Sequence, residues 1–146
     1  MKLNDRSFLI LLFFAGPGWQ PVHDSGINIE ITRLRNSNGQ VLVSLFKDEN
    51  GYPDNPGKAI RKGTAIIAGN KATISFSGLP AGKYAAVVLH DENNNMIMDR
   101  TWVGKPKEGY GFSNNVTGLL GPPGFSKASF QHGDDRQTDI IIKLKY

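Results

Sequence analysis

From Ile27 onward, apolar and polar residues alternate with a period of two. Ile27, Ile29 and Ile31 are interleaved with Asn28, Glu30 and Thr32, which sets one face of a strand on a core and the other toward water. Asn36-Ser37-Asn38-Gly39 supplies residues tolerant of positive φ, and residues 41–46 predict the returning strand of a hairpin. Asn50-Gly51, Pro53 and Pro56-Gly57 make residues 48–58 a loop, since they forbid a regular ladder. Residues 64–68 and 71–76 flank Gly69-Asn70 as a second hairpin, with Ile66, Ile74 and Phe76 as core contributors. A turn at Gly78-Leu79-Pro80-Ala81-Gly82 leads into residues 84–89, whose unbroken apolar run predicts a strand covered on both faces.

The pattern fails from 91 to 124. A loop of that length in a small domain is usually functional, which makes it the first place to look for a site. Residues 125–130, and 138–146 with Ile140, Ile142 and Leu144 alternating against Lys143 and Lys145, complete about seven strands. Short strands, Gly/Pro turns and no long amphipathic helix predict an all-β fold, an antiparallel β-sandwich of immunoglobulin-like or transthyretin-like type. A membrane barrel fits poorly. Its strands need about 9 to 11 residues with a lipid-facing apolar side, longer than most runs here, and the long loop would interrupt the wall.

The N-terminus changes the picture of the first 26 residues. Lys2 and Arg6 precede a short apolar stretch over residues 8–15, followed by the helix breakers Gly16, Pro17 and Gly18. This is the pattern of a secretory signal, far below the ~20 apolar residues that span a bilayer. Residues 1–26 are therefore expected to be a signal peptide and short linker, and 27–146 one exported domain, periplasmic or extracellular, without a transmembrane segment. The chain has 146 residues and no cysteine, which excludes disulfide scaffolds, catalytic thiols and thiolate metal sites.

The formal net charge is +4. Its basic residues are scattered, with local concentrations only at Lys58, Arg61 and Lys62 and at Lys105 and Lys107. Neither has the dense run or aromatic interleaving that binds phosphate backbones, so no nucleic-acid partner is expected.

The segment His90-Asp91-Glu92-Asn93-Asn94-Asn95-Met96-Ile97-Met98-Asp99 carries the most chemistry. Asp91, Asn93, Asn95 and Asp99 fall at positions 1, 3, 5 and 9 of a calcium loop, with the Ile97 carbonyl at position 7. Met96 replaces the glycine of position 6 and Trp102 the bidentate Glu of position 12, which excludes a tight EF-hand; Glu108 could close the shell from the far side. The same residues also suit an Asx-turn in which Asp91 and Asn93 bond their own backbone. His90, Asp91 and Ser113 are triad residue types, but Gly111-Phe112-Ser113-Asn114-Asn115 lacks the second glycine of a nucleophile elbow. Trp102, Tyr110 and Phe112, beside Asn114 and Asn115 in a glycine-broken loop, offer aromatic faces and amide donors to a sugar or peptide. Tyr84, between a turn and a strand, suits a tyrosine corner that bonds upstream backbone.

The runs 78–85, His90-Asp91-Glu92-Asn93 and 104–115 together resemble the bacterial family called domain of unknown function 2141. The resemblance extends through Gly121-Pro122-Pro123 and Phe125 to Tyr146, covering about residues 27–146. It implies an exported β-sandwich and brings no activity with it. Asn94 and Met96 stand where the family commonly has glycine. The expected function is that of a non-catalytic binding or structural module with a protein, peptide or glycan partner. A weak calcium-binding module on the 91–99 loop is the alternative, and a hydrolase using His90 and Ser113 the more distant one.

Overall fold

A computed structural model describes residues 25–146, so the expected signal segment lies outside the described residues apart from its last two positions. Eight strands run in chain order: β1 (Gly26–Thr32), β2 (Gln40–Phe46), β3 (Arg61–Ala68), β4 (Lys71–Ser77), β5 (Gly82–Asp91), β6 (Gly109–Phe112), β7 (Phe130–His132) and β8 (Thr138–Lys143). Helix is limited to short turns, among them α1 (Phe125–Ala128). The all-β expectation holds, with eight strands instead of about seven.

Neighbouring strands follow the order β6-β5-β2-β3-β4-β1-β8, with β7 added beside the start of β5. All ladders are antiparallel except β1 with β8, which is parallel. β3 turns the corner between two layers, since Arg61 to Ala65 pair with β2 and Ile66 to Ala68 with β4. Tyr110 on β6 and Lys145 just beyond β8 exchange two backbone hydrogen bonds of 2.9 Å. The sandwich is thus one strongly bent sheet, nearly closed into a barrel.

Alternation decides what fills it. Ile27, Ile29 and Ile31 of β1, Val41, Val43 and Leu45 of β2, and Ile142 of β8 are buried in a single cluster. On β5 both faces are covered: Tyr84, Ala86 and Val88 enter that cluster, while Ala85 and Val87 pack with Phe112, Ala128, Tyr52 and Phe125 on the other side. The Tyr84 hydroxyl donates to the Pro80 carbonyl at 2.6 Å, the expected tyrosine corner.

Four local expectations are corrected. First, β1 and β2 do not form a hairpin. Arg33 adopts φ 66°, Leu34 drops into the core with its N–H on the Asn70 carbonyl, and the connection crosses between layers. Second, the Gly69-Asn70 hairpin forms, but Ile66 is 77% exposed; Ala65 and Ile67 face inward. The run Ala65-Ile66-Ile67 has no alternation from which to read the face. Third, residues 125–128 form a helical turn because the Phe125 ring leaves the strand direction to stack edge-on against Tyr52. Fourth, the long loop contains β6. A Cβ at Gly109 would come within 2.6 Å of the Tyr146 ring, and one at Gly111 within 2.6 Å of Ile142 Cγ2, so the glycines that hide this strand are required by its packing.

Replacing Ile142 with Asp places an unpaired charge in the barrel interior and is expected to abolish the cooperative melt. Lys143→Glu, on the exposed face, should keep a melt near that of the wild type. Equal melts for the two variants would reverse the assigned faces.

Candidate functional site

β5 ends at Asp91 and β6 begins at Gly109, so the barrel end between them carries the 92–108 loop. Asp91 is fully buried, and its carboxylate is saturated by local donors. One oxygen accepts from the Asn95 N–H at 3.0 Å; the other accepts from the Met96 N–H and from Gln40 Nε2, both at 2.8 Å. Asn93 Oδ1 also accepts from the Asn95 N–H, and Asn95 Oδ1 from the Ile97 N–H. These are successive Asx turns, and they hold Asn94 and Met96 at φ 59° and 64°. Asp99 Oδ2 gathers both amide groups, Asn93 Nδ2 at 2.7 Å and Asn95 Nδ2 at 3.0 Å. The four residues expected to share one loop therefore do so.

Glu108 closes the loop from its far side. Only 4% exposed, it accepts the Glu92 N–H on Oε1 at 3.0 Å and the Asp99 N–H on Oε2 at 3.1 Å. One buried carboxylate thereby ties the start of the loop to its middle through charge-assisted bonds. Beyond Asp99 the chain forms a small hairpin. Lys107 N–H bonds the Asp99 carbonyl, Thr101 N–H the Lys105 carbonyl, and Gly104 N–H the Thr101 carbonyl, each at 2.8 Å. Trp102 and Val103 occupy the two central positions of that last turn and are 97% and 55% exposed.

The other aromatic and amide candidates lie elsewhere. Phe112 is buried and Tyr110 half-buried in the outer cluster. Asn114 Nδ2 donates to the Lys127 and Ser129 carbonyls, while Asn115 donates to the Ile141 carbonyl and accepts from the Lys143 N–H. Both amides latch the chain onto its neighbours, and neither reaches Trp102. His90 and Ser113 are also kept apart. Ser113 is buried beside Ala86, accepting its N–H and donating to the Ala128 carbonyl, four residues or ~13 Å of strand from His90. His90 Nε2 donates to the Asn38 carbonyl at 2.9 Å, which leaves Nδ1 to accept from the Tyr146 hydroxyl at 2.7 Å.

Sequence reasoning missed Arg35, Glu92 and Tyr146, which surround that histidine. Arg35 makes a two-pronged pair with the Glu92 carboxylate, donates to the Lys107 carbonyl, and lies 4.4 Å over the Tyr146 ring. Asn36 adds a bond to Glu92 at 2.6 Å, and the Arg35 N–H reaches the Tyr146 hydroxyl at 3.0 Å. Arg35 and Glu92 come from separate layers with no shared periodicity. Among the described residues, no three His, Asp or Glu side chains are grouped to hold a metal, and no helix is long and apolar enough to cross a membrane.

At the opposite end of the barrel, an open cleft of about 380 Å³ is lined by Glu49, Tyr52, Pro53, Pro122, Pro123 and Phe125. Burial pushes the Tyr52 hydroxyl up to about 12.

The Arg35 hydrogen bond holds the Glu92 carboxyl below its ordinary value of 4.5, against the opposing effect of burial. An unfolded Glu92 therefore takes up its proton at higher pH than the folded one. The pair's contribution is complete above the ordinary Glu range and is lost as pH falls through the lowered folded value. Acid titration of the melting temperature should show this loss in the wild type and a shallower fall in Glu92→Gln below about pH 4.5; equal slopes would count against the pair.

Comparison with known proteins reaches one family. The model of the bacterial family described as uncharacterized protein conserved in bacteria (DUF2141) matches residues 29–140, from β1 into β8 and through the whole braced loop. No curated protein and no solved structure matches the chain. With most of its length matched, the chain belongs to this bacterial family of uncharacterized proteins.

Proposed function

We propose that this protein is an exported, non-catalytic binding module, periplasmic or extracellular, that uses the 92–108 loop as its contact surface. The observation that carries the reading is the bracing of that loop. Buried Asp91 and Glu108 fix its backbone, Arg35 ties both ends to the barrel, and the best-held part of the loop supports a tip whose two largest side chains point into water. A rigid loop loses little conformational entropy on binding, and an exposed Trp supplies the kind of anchor that dominates interfaces.

Export is tested by mass spectrometry of the protein from the producing cell, which should lack roughly the first 15 to 26 residues. Intact Met1 on cytoplasmic protein would overturn it. The contact surface is tested on glycan and peptide arrays, where Trp102→Ala should lose the wild-type signal while melting unchanged. An undiminished signal would move the contact surface away from this loop.

A calcium-dependent form of the same module is the second reading. It is favoured by the gathering of Asn93 and Asn95 around one Asp99 oxygen. A bound cation would draw the oxygens of those amides inward and would compete for carboxylates now bonded to backbone N–H groups. Calcium titration should then raise the melting temperature in the wild type and leave Asp99→Ala unmoved. An identical melt with and without calcium would remove this reading and leave the loop as a hydrogen-bonded brace.

A further inference from the structure

The tip of the braced loop joins a bare apolar pair, which water disfavours, to a set of cations. Central turn positions are normally filled by Gly, Pro, Asn, Asp or Ser. Here the turn from Thr101 to Gly104 holds Trp102 and Val103 instead, nearly bare and half bare. Three exposed cations share the loop, Arg100, Lys105 and Lys107, and Arg100 donates to the Gly104 carbonyl. Three acids of the loop match these cations in number, but each is held by donors while the cations stand exposed: Glu108 is buried on backbone N–H groups, Glu92 is paired with Arg35, and Asp99 accepts two amides.

From this tip we infer a peripheral membrane-docking surface, in which Trp102 and Val103 enter the interface of an anionic bilayer and Arg100, Lys105 and Lys107 meet its headgroups. The inference rests on the reading of the loop as the contact surface. Charge complementarity selects the bilayer, because a tryptophan among cations matches the amphipathic, anionic boundary between headgroups and acyl chains. Area argues the same way. A stable protein interface needs about 800 Å² from each partner, whereas a convex two-residue tip wedges well into a fluid surface and covers little of a rigid one. Leu119 and Leu120, 97% and 99% exposed, form another apolar pair, but they sit between Gly118 and Gly121 with no cation adjoining.

The chain has two tryptophans, Trp19 and Trp102, so the exported protein lacking the signal segment, with W19F wherever Trp19 is retained, reports on the tip alone. With phosphatidylcholine vesicles containing phosphatidylglycerol, Trp102 emission should shift to the blue and the protein should sediment with the lipid. Pure phosphatidylcholine should give neither, and added salt should reverse the binding. Each lysine near an anionic surface contributes about fivefold, so K105Q/K107Q should weaken binding about twenty-five-fold. W102A/V103S should lose binding with an unchanged melt, and L119S/L120S should retain it. No partition of that protein, binding untouched by W102A/V103S, or binding lost in L119S/L120S would each overturn the inference. If vesicles fail while a glycan or peptide shifts Trp102 emission, the membrane is wrong and the contact loop stands. If none of the probes shifts it, both fall.

Discussion

Two backbone hydrogen bonds between Tyr110 and Lys145 join the ends of the sheet, and the site depends on that seam. A bent sheet left open presents unpaired N–H and C=O groups along both edges; joining the edges satisfies them and fixes the curvature. Here the join requires β6 to approach the segment after β8 closely, which Gly109 and Gly111 permit by having no Cβ. Once joined, Tyr146 lies over Gly109, its hydroxyl reaches His90, and its ring carries Arg35. Glu108, two residues before Tyr110, is thereby held under the loop that it fastens.

The polar groups near this seam are bound mainly to backbone. Asp91, Glu108, Asn114 and Ser113 pair with main-chain groups of segments that lack a regular ladder, and Asn115 fills the open edge of β8. Irregular backbone can be buried only when its donors and acceptors are satisfied, and side chains supply the partners that a sheet would otherwise provide. The same residue types that suggest chemistry in a sequence are therefore used to give a long loop one conformation. Asp91 and Glu108 act at one end of β6 and Ser113, Asn114 and Asn115 beyond the other, in both cases where regular pairing stops.

Much of the architecture was legible because it rests on local signals. The isoleucines of β1 and the alternation of β8 announce their buried faces, Gly69-Asn70 announces its hairpin, and Tyr84 its corner. The loop's ligand-like spacing also identified residues that do meet, Asp91, Asn93, Asn95 and Asp99, with Glu108 closing from the other side. What stayed hidden depends on distant partners. β6 reads as loop because its glycines answer to Tyr146 and Ile142, and Phe125 leaves the strand direction because of Tyr52. Arg35 finds Glu92 only after the layers fold together. That backbone N–H groups occupy the carboxylates of Asp91 and Glu108 is likewise a property of the closed loop, and spacing along the chain does not encode it.

The parallel pairing of β1 with β8 joins residues 27–32 to 138–143, and the seam adds Lys145. Ribosomes make the two partners of that ladder more than a hundred residues apart in time as well as in sequence. β1 has β4 to lean on earlier, but its other edge stays open until residues 138–146 are made, and so does the edge of β6. Ordering so long an intervening chain carries an entropic cost that local hairpins do not, which makes folding of this topology late and slow. Such a barrel cannot shut until residues 138–146 have been made, however early the hairpins between them form.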